Sequence, residues 1–149
     1  MKRRIIKVLV LMVVACSAVF VPAQAQSTQE LIVDTWELDF DASVNAMPKD
    51  EKKVYNDHPS DARNHIKKFF KGKKYTFEEN GTYEVSGGSK GSLSGTYSVS
   101  GNSLILKDGS SGRKITYKLV KLKKTQLILE RLGSKNELIK RLYFKPQGN

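Results

Sequence analysis

The residues with chemistry to offer are two histidines, one cysteine, paired carboxylates, a serine-rich stretch, lysine clusters and six tyrosines. His58 and His65 are separated by a proline-containing segment that is no metal-ligand spacing, and the single Cys16 excludes a cysteine-rich zinc site. Ser86, Ser89, Ser92, Ser94, Ser98, Ser100, Ser103, Ser110 and Ser111 fall in turns and on strand exteriors, and none stands in a nucleophile motif. The pairs Asp39/Asp41 and Glu78/Glu79 lie at strand edges without a catalytic arrangement. These residues point to a protein that is not an enzyme and needs neither cofactor nor metal.

Two sets remain. Lys67, Lys68, Lys71, Lys73 and Lys74, then Lys118, Lys121, Lys123 and Lys124, form basic fields suited to anionic lipid headgroups or envelope polymers. Without interleaved exposed aromatics for base stacking they do not suit nucleic acid. A solvated face explains them equally, and the first cluster flanks a helix end where positive charge is favourable. The second set is apolar and aromatic: Trp36, Phe40, Tyr75, Phe77, Tyr83, Tyr97, Leu104 and Tyr117, with Leu38, Val85, Val99 and Leu106 between them. They are expected to converge on one interior. That interior is either a packed core or a pocket for a small apolar ligand, with tyrosine hydroxyls supplying a few polar contacts.

Something must bring these side chains together. Trp36, Leu38 and Phe40 alternate with Glu37, Asp39 and Asp41, which reads as a half-buried strand over 34–41. From Pro48 to Phe70 the texture is charged and helix-prone. Ala62, Ile66, Phe69 and Phe70 make one apolar face of a helix over 60–71, with Ser60 or Asp61 as N-cap and Gly72 as the stop. A looser helical turn is expected at 48–57, broken from that helix by Pro59. Beyond Lys73, strands are expected at 73–79, 82–87, 92–100, 103–108, 113–122, 126–132 and 138–145. Successive strands joined by short turns pair as a meander, and eight most simply close into a barrel.

Side-chain parity sets two registers. Tyr75 and Phe77 meet Val85 and Tyr83 only through an odd loop, Glu79-Asn80-Gly81, with Gly81 at positive φ. Asn80-Gly81-Thr82 also fits a glycosylation sequon, but the turn accounts for it. Tyr97 and Val99 meet Leu106 and Leu104 only through a two-residue turn, Gly101-Asn102, which turns Ile105 outward. Leu119 and Leu122 share a face only if the strand carries a bulge near Val120-Lys121. In the last strand Leu138, Leu142 and Phe144 compete with Ile139 and Tyr143 for the core.

The chain has 149 residues with 26 basic and 15 acidic ones, and 39% are hydrophobic, the composition of one folded domain. Its start, MKRRIIKVLVLMVVACSAVFVPAQA, runs basic, apolar and small, which reads as a secretory signal peptide cut after Ala25. The alternatives are lipidation at Cys16, after an imperfect lipobox Val13-Val14-Ala15, and an uncleaved anchor near the minimum spanning length. Removing 1–25 takes four basic residues, leaving 22 basic against 15 acidic, a net +7. The mature domain, 26–149, is expected to be an exported monomer: periplasmic, secreted or associated with the outer membrane.

Asp34-Thr35-Trp36-Glu37-Leu38 resembles the opening strand of a lipocalin-like domain, with Asp34 where glycine is usual. Tyr75 to Tyr83 (YTFEENGTY) resembles the second hairpin of the small bacterial lipocalin-like proteins, and Ser94 to Leu104 (SGTYSVSGNSL) their next strand pair. The resemblance spans most of 32–145, while the helical insertion at 46–71 matches poorly. It implies an all-β, eight-stranded antiparallel up-and-down barrel with a short helical insertion between strands 1 and 2. It also implies a small apolar or amphipathic ligand inside, and an arginine from a late strand, Arg141 or Arg131, stacked on Trp36. The alternative is a solid barrel that acts at the cell envelope through its basic outer face. The helical insertion is expected to cap one mouth, because Ile66, Phe69 and Phe70 need an apolar surface to cover.

Overall fold

The computed structural model describes residues 27–89, 91–133 and 138–148. Eight antiparallel strands follow one another and close on themselves: β1 (Asp34–Asp39), β2 (Lys74–Phe77), β3 (Thr82–Ser86), β4 (Leu93–Ser100), β5 (Ser103–Asp108), β6 (Lys114–Lys123), β7 (Gln126–Arg131) and β8 (Arg141–Pro146). This is the expected barrel, sealed where Leu38 of β1 pairs with Phe144 of β8. Closure leaves no row of unpaired backbone groups.

The registers follow the parity of the side chains. Phe77 lies opposite Tyr83 and Tyr75 opposite Val85, with Gly81 at φ +82° closing the odd loop. Tyr97 pairs with Leu106 and Val99 with Leu104 across the Gly101-Asn102 turn. The β6–β7 register shifts between Leu119 and Lys121, where the bulge was expected. Each device turns apolar side chains inward, and a one-residue slip would turn them all to solvent.

Among the described residues, four helices accompany the barrel: α1 (Thr28–Ile32), α2 (Phe40–Asn45), α3 (Lys49–Asp57) and α4 (Ser60–Phe70). The first was not anticipated. Its sign in the sequence is the capping box Ser27-x-x-Glu30, in which the Ser27 hydroxyl accepts from the Glu30 amide and the Glu30 carboxylate from the Ser27 amide. Helix structure begins at Phe40, six residues before the expected insertion, and cuts the first strand short. Asp39 is the reason: its carboxylate accepts the Ala42 N–H at 2.9 Å and starts α2. Phe40 stays buried, but as a helical residue stacked on Phe70.

Other boundaries also differ. The expected turn at 48–57 is a regular helix, and α4 has Pro59 at its N-cap with no side-chain cap from Ser60 or Asp61. The last strand begins at Arg141 rather than at residue 138, and β2 ends at Phe77. Within β8, Leu142 and Phe144 face the core and Tyr143 is half-buried, while Ile139 is buried from the segment before the strand. Where β1 stops, Ser43 takes over from the ladder. Its hydroxyl accepts the Tyr143 N–H at 3.0 Å and donates to the Asp39 carbonyl at 2.7 Å.

Candidate functional site

The two ends of the barrel differ. At one end α1 packs against β6, and Ile32 is wholly buried among the core side chains. The Trp36 indole N–H donates to the Ile32 carbonyl at 2.9 Å. Tyr97 donates from its hydroxyl to the Glu78 carbonyl at 2.9 Å and accepts from the Gln29 side chain at 3.1 Å. Phe77 meets Tyr97 edge to face at 5.0 Å, and Leu104, Leu127 and Leu129 fill the remaining space. This end is a packed core in which the Trp36 and Tyr97 polar atoms are paired.

At the other end lies a cavity of about 570 Å³. Its barrel wall comes from the ends of strands that meet there: Tyr75, Val85, Leu93, Leu106, Ile115 and Tyr117. Arg131, Ile139 and Leu142 complete the wall, and Ile66, Phe69 and Phe70 of α4 form its cover. The apolar face of α4 therefore finds the surface expected of it. None of its side chains is fully buried, because they overlie a space instead of a filled core.

Close backbone contact sets the position of this cover. Gly87 and Gly88, at φ +77° and +70°, pass beneath the end of α4. A Cβ on Gly88 would come within 2.4 Å of the Phe69 carbonyl oxygen, and one on Gly87 within 2.1 Å of that of Gly72. The Lys73 ammonium sits 3.5 Å above the Phe69 ring, and α3 is tied to the barrel by a 2.9 Å ion pair from Lys140 to Glu51.

The structure divides the eight candidate ligand residues. Tyr75 and Tyr117 line the cavity, while Trp36, Phe40, Phe77, Tyr83, Tyr97 and Leu104 are buried outside its lining. Val85 and Leu106, expected to face inward, and Ile66, Phe69 and Phe70, expected to cap a mouth, are also in its lining, whereas Arg131 was expected only as a possible stack on Trp36 and not as a cavity wall. Its sign was the alternation Leu127, Leu129, Arg131, which puts the arginine on the inner face of β7 opposite Tyr117. Arg141 lies on the outer face, bridged to Glu130 at 2.6 Å, so it does not stack on Trp36.

Burial pushes the Tyr75 hydroxyl well above its usual pKa, the neighbouring Tyr117 adds to the rise, and Arg131 opposes it. Tyr117 is likewise raised by burial, with Arg131 pulling the other way. Both stay protonated at neutral pH. Tyr75 and Tyr117 are hydrogen-bonded to each other. The Tyr83 hydroxyl is buried and without a partner among the described residues. No group of side chains suited to a metal ion occurs among the described residues.

A closed eight-stranded barrel with one packed end and one capped, apolar cavity defines a class of protein built to enclose a small molecule. The family model for a lipocalin-like domain matches residues 32–129, and the chain belongs to that family. The family is generally a non-enzymatic binding fold. No curated protein matches the chain.

Proposed function

We propose that this protein is an exported, non-catalytic carrier that holds one small apolar or amphipathic molecule in the α4-capped cavity. The observation that carries the reading is the cavity itself. At about 570 Å³ it falls within the roughly 300–1,000 Å³ typical of small-molecule sites, and its walls are mostly apolar. A solid barrel acting only through its basic exterior would not keep such a space. Apolar burial at about 25 cal/mol per Å² supplies the affinity. The export half of the reading rests on residues 1–25, which with Cys16 and the Ala25 cut lie outside the described residues.

One preparation tests both halves. Protein recovered from a secreting bacterial host is expected to have the mass of a chain starting at Gln26, and to enhance the fluorescence of a neutral dye such as phenylnaphthylamine. Ile115→Trp, which fills the cavity from its wall, should abolish the enhancement while the circular dichroism stays that of a barrel. No uptake by the wild type, or equal uptake by the variant, would overturn the carrier reading. A diacylglyceryl mass on Cys16 would replace cleavage at Ala25 with lipid tethering.

A further inference from the structure

The side of α4 turned away from the cavity carries a charge that the cavity does not use. Residues 60–74 hold six basic side chains and one acidic, a net +5, where residues 26–149 together have a net +7. Along α4 and its C-cap, Arg63, Lys67 and Lys71 stand one turn apart in a row with Lys68 beside them. Ile66, Phe69 and Phe70 occupy the other side and line the cavity. Within the stretch some cations are engaged: Arg63 donates to the Asn56 carbonyl, Lys73 lies over the Phe69 ring, and Lys74 stands in register with Glu37. Lys67, Lys68 and Lys71 are exposed. Lys67 lies 3.6 Å from Asp41, but both groups are solvated, and such a pair holds its members weakly.

The other basic field is of a different kind. Lys118 stands in register with Glu130, and Lys123 and Lys124 lie at the packed end of the barrel, which also carries Glu30, Glu78 and Glu79. Its charges are interspersed with acidic ones, whereas those of α4 are of one sign and sit on the cover of the cavity. Val54 of α3 and Leu132, just beyond β7, add two exposed apolar side chains at the α4 end.

A surface of this kind calls for an anionic partner, and the choice among anions rests on the carrier reading above. A molecule that leaves an apolar cavity for water gives up the burial that held it, whereas a bilayer receives it with its apolar area still covered. A helix with lysines on its polar side and aliphatic and aromatic residues on the other also has the pattern of a membrane-surface helix. Anionic headgroups attract such lysines within about a Debye length. We propose that the α4 end of the barrel docks on an anionic lipid bilayer through Lys67, Lys68 and Lys71, which brings the cover of the cavity against the lipid.

The test is co-sedimentation with vesicles of phosphatidylcholine alone and of equimolar phosphatidylglycerol and phosphatidylcholine. Residues 26–149, which contain every strand and helix of the fold described above, are used without the apolar leader, whose own affinity for lipid would mask the surface. The protein should sediment with the anionic vesicles only, and be released at about 1 M salt, where the Debye length is about 3 Å. Changing Lys67, Lys68 and Lys71 together to Gln should weaken binding about fivefold for each lysine and about a hundredfold in all. The same three changed to Arg should bind as the wild type does. Lys121, Lys123 and Lys124 changed together to Gln remove equal charge at the far end and should stay within about threefold of the wild type. Thermal melts establish that the barrel is intact, and Lys68→Gln alone carries the test if the triple variant melts early. Equal loss in the two Gln triples overturns the docking face, because net charge alone would then explain binding. So does equal sedimentation with phosphatidylcholine, and so does no sedimentation with anionic vesicles; retention on dextran sulfate in that last case assigns the face to a soluble polymer. Dye uptake is read separately: failure to dock with dye uptake intact removes the docking face alone, and docking without dye uptake removes the carrier reading alone.

Discussion

At the scale of single residues, Asp108 shows how a turn stores charge-dependent stability. Its carboxylate accepts from the Ser110 hydroxyl and amide and from the Ser111 amide, which close the β5–β6 turn. Those hydrogen bonds lower its pKa from 3.8 to about 2, the Ser110 hydroxyl contributing most. A pKa lower in the folded state than in the unfolded one means stability that is present above the unfolded value. It is lost as pH falls through the folded value. The melting temperature of the wild type should therefore exceed that of Asp108→Asn at neutral pH, and the gap should narrow between about pH 4 and about pH 2. A gap that persists unchanged to the acid end would show that charge plays no part in the turn. Asp39 and Ser43 also act locally through hydrogen bonds, one starting α2 and the other completing the β8 ladder where β1 runs out.

Among the described helices, α4 alone has no buried side chain, and its seat depends on glycine. Ile66, Phe69 and Phe70 are half-buried, and their main supports are the Phe40 stack, the Lys73 contact and the glycine turn below. Gly88→Ala combines a left-handed backbone with a Cβ 2.4 Å from the Phe69 carbonyl, which must move. The expected cost is about 1–3 kcal/mol in chemical denaturation, from backbone strain and displacement of the helix end. Gly101→Ala is the control: it meets the same left-handed strain at φ +57° but open space, and should cost less. A larger loss for Gly101→Ala would mean that the loop does not seat α4.

For the molecule as a whole, closure makes stability unequal between barrel and cover. Every strand is hydrogen-bonded on both sides, so strand amides are exposed chiefly when the barrel opens as a unit, whereas α4 can lift without breaking the ladder. Native-state hydrogen exchange should find amides of β4, β5 and β6 protected to the level of global unfolding, and those of α4 exchanging much faster. Equal protection would make the cover part of the barrel's cooperative unit and leave ligand entry without a route there. The basic clusters are divided as well. Lys118, Lys121, Lys123 and Lys124 are exposed and outside the cavity lining, whereas Lys73 of the other basic cluster lines the cavity.

Alternation and turn chemistry are local properties, so they were legible along the chain. The period-two runs, the odd loop at Gly81, the even turn at Gly101 and the bulge before Lys121 together determined eight strands, their pairing and their inner faces. The helix boundaries were less legible, because Phe40 continues the strand's alternation although Asp39 has already begun a helix. Parity tells which side of a sheet a residue faces, but not how deep it lies. Trp36, Phe77 and Leu104 face inward just as Tyr75 and Tyr117 do, and only the assembled barrel placed the first three in packed core and the last two on the cavity wall. A cavity is what remains after eight strands and a helix have each taken their volume, and no segment carries that remainder by itself.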